Sequence, residues 1–254
     1  MSDSTPSTVP RGLRFRHALQ REVGRVMGPF WIPPMVFFLR FVLGYRIENV
    51  VALREEYQRL REESDAPLLI CPNHLTLIDS IVLAWAVVPW WKYVIRWNEM
   101  PWNTPERKNF ARTGVTRILV FVAKCIPVSR GGEREKVAEV LNRVTHLLIR
   151  GEVALLFPEG TRSRTGRVND ESVAWGVGRI IAATPGCRVL CVYMRGDTQE
   201  SWGSIPNMGD SFTIATDCFE PKSDLKGARR SRDLVVQIIG RLAHMEGEYF
   251  NGRQ

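Results

Sequence analysis

Two short blocks of this sequence place acid–base and anion-binding residues directly after apolar runs. The first is Cys71-Pro72-Asn73-His74-Leu75-Thr76-Leu77-Ile78-Asp79. A histidine and an aspartate five positions apart would not share a face of a straight helix. With His74 in the turn that leaves a strand and Asp79 in the first turns of the next helix, the carboxylate can bend back to the imidazole. One ring nitrogen then donates to Asp79 and the other is left to take a proton, as in a general base with its orienting group. A capping histidine beside a helix-start aspartate is the competing reading. The second block is Leu155-Leu-Phe-Pro158-Glu159-Gly160-Thr161-Arg162-Ser163-Arg164-Thr165-Gly166-Arg167. Glycine lets backbone approach closely, hydroxyls donate, and guanidinium forks suit phosphate oxygens. A phosphate cradle fits these residues better than a P-loop, whose G-x-x-x-x-G-K-[ST] pattern is absent. A third, weaker block, Ile126-Pro-Val-Ser-Arg130-Gly131-Gly132, again ends an apolar run on an arginine.

The elements that would position these residues follow from periodicity. Strand-like runs occur at 67–71, 93–96, 125–128, 153–157, 188–194 and 211–219. Helical patterns cover 79–88, 133–150, 172–184 and 226–250. Strands alternating with helices predict an α/β domain with a mostly parallel central sheet flanked by helices. Ligands of such sheets gather at the carboxyl ends of the strands. Residues 97–114 form the longest irregular stretch, either a functional loop or a surface insertion.

Residues 1–10 read as a flexible tail, 11–60 as a basic, aromatic helical segment, and 61–254 as the α/β domain. Within the segment, arginines 11, 14, 16, 21 and 25 precede an apolar aromatic stretch from Phe30 to Leu43. Prolines 29, 33 and 34 interrupt that stretch. Its uncharged part is shorter than the roughly 20 residues a spanning helix needs. It reads as an interfacial or re-entrant membrane contact, with a hairpin packed on the core as the alternative. The net charge of +8 favours anionic partners. Five cysteines without a C-x-x-C pair read as reduced cytosolic thiols. Four scattered histidines argue against a zinc site.

Asn73-His74-x4-Asp79, Val128-Ser-Arg130 and Phe157-Pro-Glu-Gly-Thr-Arg162-Ser163, in this order, resemble the motifs of the glycerolipid acyltransferase family. That family includes the glycerol-3-phosphate and 1-acylglycerol-3-phosphate acyltransferases. The resemblance spans roughly residues 65–195 and implies that His74 is the catalytic base, supported by Asp79. It assigns acceptor binding to Arg130, Glu159, Gly160, Thr161, Arg162 and Ser163. It further implies an acyl-CoA or acyl carrier protein donor, no metal or other cofactor, no covalent acyl-enzyme, and N-terminal helices on the membrane. This sequence departs from the pattern at Thr76, where serine is common, at Pro127, and at Cys191, where proline is usual. Arg96 stands in for a basic residue after the second strand. Asn73, Thr76, Arg96, Trp97 and Trp102 are candidates for an acceptor or acyl pocket.

The expected activity is therefore acyl transfer from a thioester to a hydroxyl of a lysophospholipid such as 1-acylglycerol-3-phosphate, at the cytoplasmic face of a membrane. A non-glycerophosphate acceptor is the alternative. An ester hydrolase is disfavoured by the absence of a G-x-S-x-G elbow. A lipid- or nucleic-acid-binding module is disfavoured by the His74–Asp79 pair.

Overall fold

The computed structural model describes residues 9–129, 131–169 and 173–252. One sheet contains β1 (Arg46–Ile47), β2 (Leu68–Pro72), β3 (Trp102–Asn103), β4 (Ala154–Leu155), β5 (Arg188–Gly196) and β6 (Ser211–Phe219). Their order is β1-β6-β5-β2-β4-β3. The N-terminal helices are α1 (Arg11–Phe37) and α2 (Val50–Glu62). Between β2 and β4 lie α3 (Asp79–Val87), α4 (Trp90–Ile95), α5 (Arg107–Phe110), α6 (Gly114–Val122) and α7 (Arg134–Ile149). Helices α8 (Trp175–Ala182) and α9 (Gly227–Asn251) complete the fold.

The sheet is mixed. β2 pairs in parallel with β4 and β5, β1 with β6, and β3 with β4, but the longest ladder, β5 with β6, is antiparallel. The connection from Gly196 to Ser211 contains no helix to carry a parallel crossover, so β6 returns beside β5 in the opposite direction. Alternation along the central strands divides the core between two faces. Leu68, Ile70, Leu190 and Val192 pack toward α1–α4, while Leu69, Cys71, Val189 and Cys191 pack toward α7–α9. At the α8–α9 crossing, a Cβ on Gly178 would lie 1.8 Å from the Ser231 carbonyl oxygen, so only glycine fits there.

Three strand expectations change. Tyr93–Arg96 falls in α4 and the turn after it, because a four-residue apolar run carries no usable period. Residues 125–128 make only two isolated parallel bridges, Cys125 to Asn103 and Val128 to Glu106. The 153–157 run contributes just Ala154–Leu155 to the ladder. The 97–114 stretch is structured: a 3₁₀ turn over Trp97–Glu99, then β3 and α5. Helix α1 runs unbroken through Pro29, Pro33 and Pro34, and passes into a π-helical turn at Phe38–Val42 that Leu43 N–H closes onto the Phe38 carbonyl (2.9 Å). Each proline removes one helical amide, which leaves the carbonyls of Arg25, Pro29 and Phe30 without their usual partners. No described helix is long and apolar enough to cross a membrane.

The N-terminal half of α1 docks through polar groups. Gln20 Nε2 donates to the carbonyls of Phe121 (3.0 Å) and Cys125 (2.9 Å). Arg143 Nε donates to His17 Nε2 (2.8 Å), and burial leads in lowering the His17 pKa to about 4. Beneath α1, the fully buried Lys124 donates to Glu152 (2.6 Å) and to the Trp97 carbonyl (3.2 Å). Burial lowers the Lys124 pKa to about 8 despite its carboxylate partner.

Candidate active site

β2 ends at Pro72, and Asn73 sets the path by which the chain leaves it. Its amide N–H donates to the Val192 carbonyl (3.1 Å). Its side chain brackets Met194, donating to the carbonyl (3.1 Å) and accepting from the N–H (2.8 Å). The chain therefore exits the sheet in one fixed direction, with His74 next.

Asp79, the first residue of α3, folds back over the turn. Its Oδ2 lies 3.0 Å from His74 Nδ1 and accepts from the backbone N–H of Leu75 (2.7 Å) and Thr76 (2.8 Å). Its Oδ1 accepts from the Thr76 hydroxyl. The negative charge thus sits in a ring of donors and pins the imidazole by Nδ1. Among the described residues Nε2 has no hydrogen-bond partner. The ring stacks on Phe157, with centroids 3.8 Å apart and planes 19° from parallel. His74 and Asp79 are both buried.

The second motif holds the first by its backbone. His74 N–H donates to Glu159 Oε1 (2.8 Å), and the His74 carbonyl accepts from Ser163 N–H (2.9 Å). Glu159 is 1% exposed, and its other oxygen accepts from Asn169 N–H (3.0 Å). Burial raises its pKa to about 7, and the two backbone donors oppose that rise. Arg162 Nη1 donates to the Gly203 carbonyl (2.7 Å) while its guanidinium lies over Trp202. Ser163 is buried with its hydroxyl 3.1 Å from that of Thr165. Thr161 is exposed, and Gly160 takes a φ of +74° that favours glycine. Arg130 lies outside the described residues.

A cavity of about 350 Å³ adjoins this site. His74, Phe157 and Arg162 line it together with Trp31, Ile32, Met35 and Val36 of α1, Ile81, Ala84 and Trp85 of α3, and Leu119 of α6. The wall is overwhelmingly apolar, suited to a hydrocarbon chain. Cys125 also lines it, but burial holds that thiol up at about 12, so it stays protonated and a poor nucleophile.

The structure brings together Asn73, His74, Thr76, Asp79, Glu159, Gly160, Arg162 and Ser163. It places Arg96, Trp97 and Trp102 elsewhere. Arg96 is exposed. Trp97 packs under α1, where a Cβ on Gly24 would meet its ring at 2.7 Å. Trp102 is buried and donates to Glu152 (3.0 Å). Sequence reasoning missed the stacking role of Phe157 and the wall supplied by α1. The Phe30–Leu43 aromatic stretch is the available signal for that wall; its two sequence readings, membrane contact and a hairpin packed on the core, do not place it against a cavity.

The histidine–aspartate pair, set over an apolar cavity at the carboxyl end of β2, defines a site suited to chemistry on an acyl chain. The acyltransferase family model matches residues 47–195, more than half of the chain. The chain belongs to that family, the glycerolipid acyltransferases, and acyl transfer is the class of reaction it defines. No curated protein matches the chain.

Proposed function

We propose that the protein transfers an acyl group from an acyl thioester to a hydroxyl of a lysophospholipid, with 1-acylglycerol-3-phosphate as the leading acceptor and His74 as general base. The observation that carries this reading is the Nδ1–Asp79 contact at 3.0 Å on an imidazole that lines an apolar cavity. Nε2 takes the proton of the acceptor hydroxyl as its oxygen attacks the thioester carbonyl. Asp79 stabilises the imidazolium that results. Collapse of the tetrahedral intermediate expels the thiolate, and the imidazolium returns the proton to give free thiol and acylated product. The N–H groups of Leu75 and Thr76 are held by Asp79, and that of Ser163 by His74, so oxyanion stabilisation falls to other donors.

The donor's acyl chain occupies the cavity. Arg162, one of whose nitrogens is spent on Gly203, offers its remaining donors to the acceptor phosphate, joined by Arg130. The carrier is acyl-CoA or acyl carrier protein, and no metal or other cofactor takes part. Helix α1 rests on the cytoplasmic face of a membrane. The test is mass spectrometry of products from a panel of lysolipids with both donor types. His74→Ala should lower kcat about 10²–10⁴-fold. Free fatty acid without acylated acceptor, or near-full activity of the variant, would overturn the assignment.

A further inference from the structure

The segment between β5 and β6 lies against the active site and is fastened on both sides of Trp202. Before it, the Glu200 carbonyl accepts from Nη2 of the buried Arg195 (3.1 Å). After it, Gly203 N–H donates to the Leu75 carbonyl (3.0 Å), and the Ser204 carbonyl accepts from Leu77 N–H (3.1 Å). Leu75 and Leu77 belong to the turn that carries His74, so the two segments share backbone. The arginine-rich loop presses on the same place. A Cβ on Gly166 would lie 2.5 Å from the Glu200 carbonyl oxygen, so only glycine lets the two backbones meet. The backbone at Trp202 is therefore fixed, yet its side chain is 43% exposed. Core packing is not what this indole supplies.

What the indole touches is Arg162, whose guanidinium carbon lies 4.8 Å from the ring centroid. Arg162 also lines the cavity beside His74. The N–H groups of a guanidinium point outward in its own plane, so a ring on its face consumes none of them. The Gly203 carbonyl takes one, at Nη1 (2.7 Å). Among the described residues that leaves four of the five donors of Arg162 unspent. A single hydrogen bond would let the planar group pivot about it. The indole face blocks that pivot and holds the plane. A fork fixed in this way can meet two phosphate oxygens at once, and a lysine ammonium could not use the same support. Trp202 lies outside residues 47–195, the part of the chain that matches the family model.

We infer that Trp202 is a positioning residue for the acceptor: its indole holds the Arg162 guanidinium in the plane that grips two phosphate oxygens, so that the site selects phosphate-bearing lysolipids. This rests on the reading of Arg162 as the acceptor's phosphate partner, but binding can be measured without turnover. The variants are Trp202→Leu, Trp202→Phe, Arg162→Ala and Trp202→Leu/Arg162→Ala. The probes are 1-hexanoylglycerol-3-phosphate and 1-hexanoylglycerol, the same chain with and without phosphate. Calorimetric titration without donor is compared with transfer kinetics followed by mass spectrometry. Both single Trp202 variants should keep the wild-type Tm. Trp202→Leu should weaken binding of the phosphate-bearing probe, and raise its KM, about two- to thirtyfold. The KM of the donor and the binding of 1-hexanoylglycerol should not change. Trp202→Phe restores an aromatic face and should recover most of the loss. With Arg162 already replaced by alanine, Trp202→Leu should add nothing. Wild-type binding and KM in Trp202→Leu overturn the inference. So do an equal loss with both probes, a loss that persists undiminished in the Arg162→Ala background, and a wild type that does not bind the phosphate-bearing probe. Phosphate-dependent binding that Trp202→Leu weakens, with no acyl transfer by the wild type, defeats the acyl-transfer reading and leaves Trp202 in its role.

Discussion

Asp79→Asn separates the charge of Asp79 from its shape. In the wild type Oδ2 accepts three hydrogen bonds, two of them from backbone N–H groups that cannot move without breaking the turn. Those two donors require an oxygen at that position. The asparagine amide must therefore place its oxygen there and its NH₂ toward the Thr76 hydroxyl, which can accept as readily as donate. His74 keeps Nδ1–H and its orientation, so Nε2 remains the basic nitrogen. What is lost is the negative charge beside the forming imidazolium. A hydrogen bond to a charged partner contributes about 1.5–3 kcal/mol, and each 1.36 kcal/mol is tenfold in rate, so kcat should fall about 10- to 150-fold. Asp79→Ala should fall further and also lower Tm, because it strands the buried N–H groups of Leu75 and Thr76. Steady-state kcat at saturating donor and acceptor, with Tm measured alongside, checks both. An Asp79→Asn kcat within twofold of wild type would refute the electrostatic role. A loss as large as that of His74→Ala would refute the claim that the tautomer survives.

Gly178→Ala should destabilise the fold by about 3 kcal/mol or more, since its methyl would overlap the Ser231 carbonyl and force α8 from α9; thermal unfolding reads this directly. Lys124→Met should cost about 3 kcal/mol by leaving the buried Glu152 with only the longer Arg21 contact (3.5 Å) for a cation, and adding Glu152→Gln should recover much of the loss in Tm. Glu159 has a folded pKa raised from 4.5 to about 7, chiefly by burial. The folded state thus holds a proton that the unfolded chain has released, and stability from this group falls as pH rises between about 4.5 and 7. In Glu159→Gln that contribution disappears, so Tm measured from pH 5 to 8 should show a wild-type decline relative to the variant across this window.

The parts of the site that sequence made legible are those whose geometry is local. His74 and Asp79 are separated by one turn, and the apolar run before them announces a strand exit, so their meeting needs no knowledge of the rest of the fold. Glu159 is different. A carboxylate between proline and glycine in an arginine-rich loop reads as solvated or substrate-facing, yet it is buried and spent on two backbone amides. Its neighbours do not reveal that, because the amide of His74 lies 85 residues away and the nearer one, of Asn169, reaches it only through the fold of the loop. The helix at Trp90–Ile95 was hidden by its brevity. The α1 aromatics were visible, but their division into cavity wall and exposed face depends on how the helix docks. That docking is fixed by Gly24, Gly28, Gln20 and His17 against Trp97, α6 and Arg143.

This wiring couples His74, the proposed base, to the loop proposed to read the acceptor. The N–H and the carbonyl of His74 are both held by the Phe157–Ser163 segment, at Glu159 and Ser163, and its ring is held by Phe157. Any ligand that shifts this loop moves the imidazole with it. Arg162 ties the same loop to Gly203, and Gly203 N–H in turn donates to the Leu75 carbonyl (3.0 Å), which closes a ring of contacts around the turn. A lysophospholipid phosphate on Arg162 would therefore act on the atoms that place Nε2. If Arg162 recognises the phosphate as proposed, an acceptor that lacks it should lose kcat as well as affinity, because the same loop holds His74 in place.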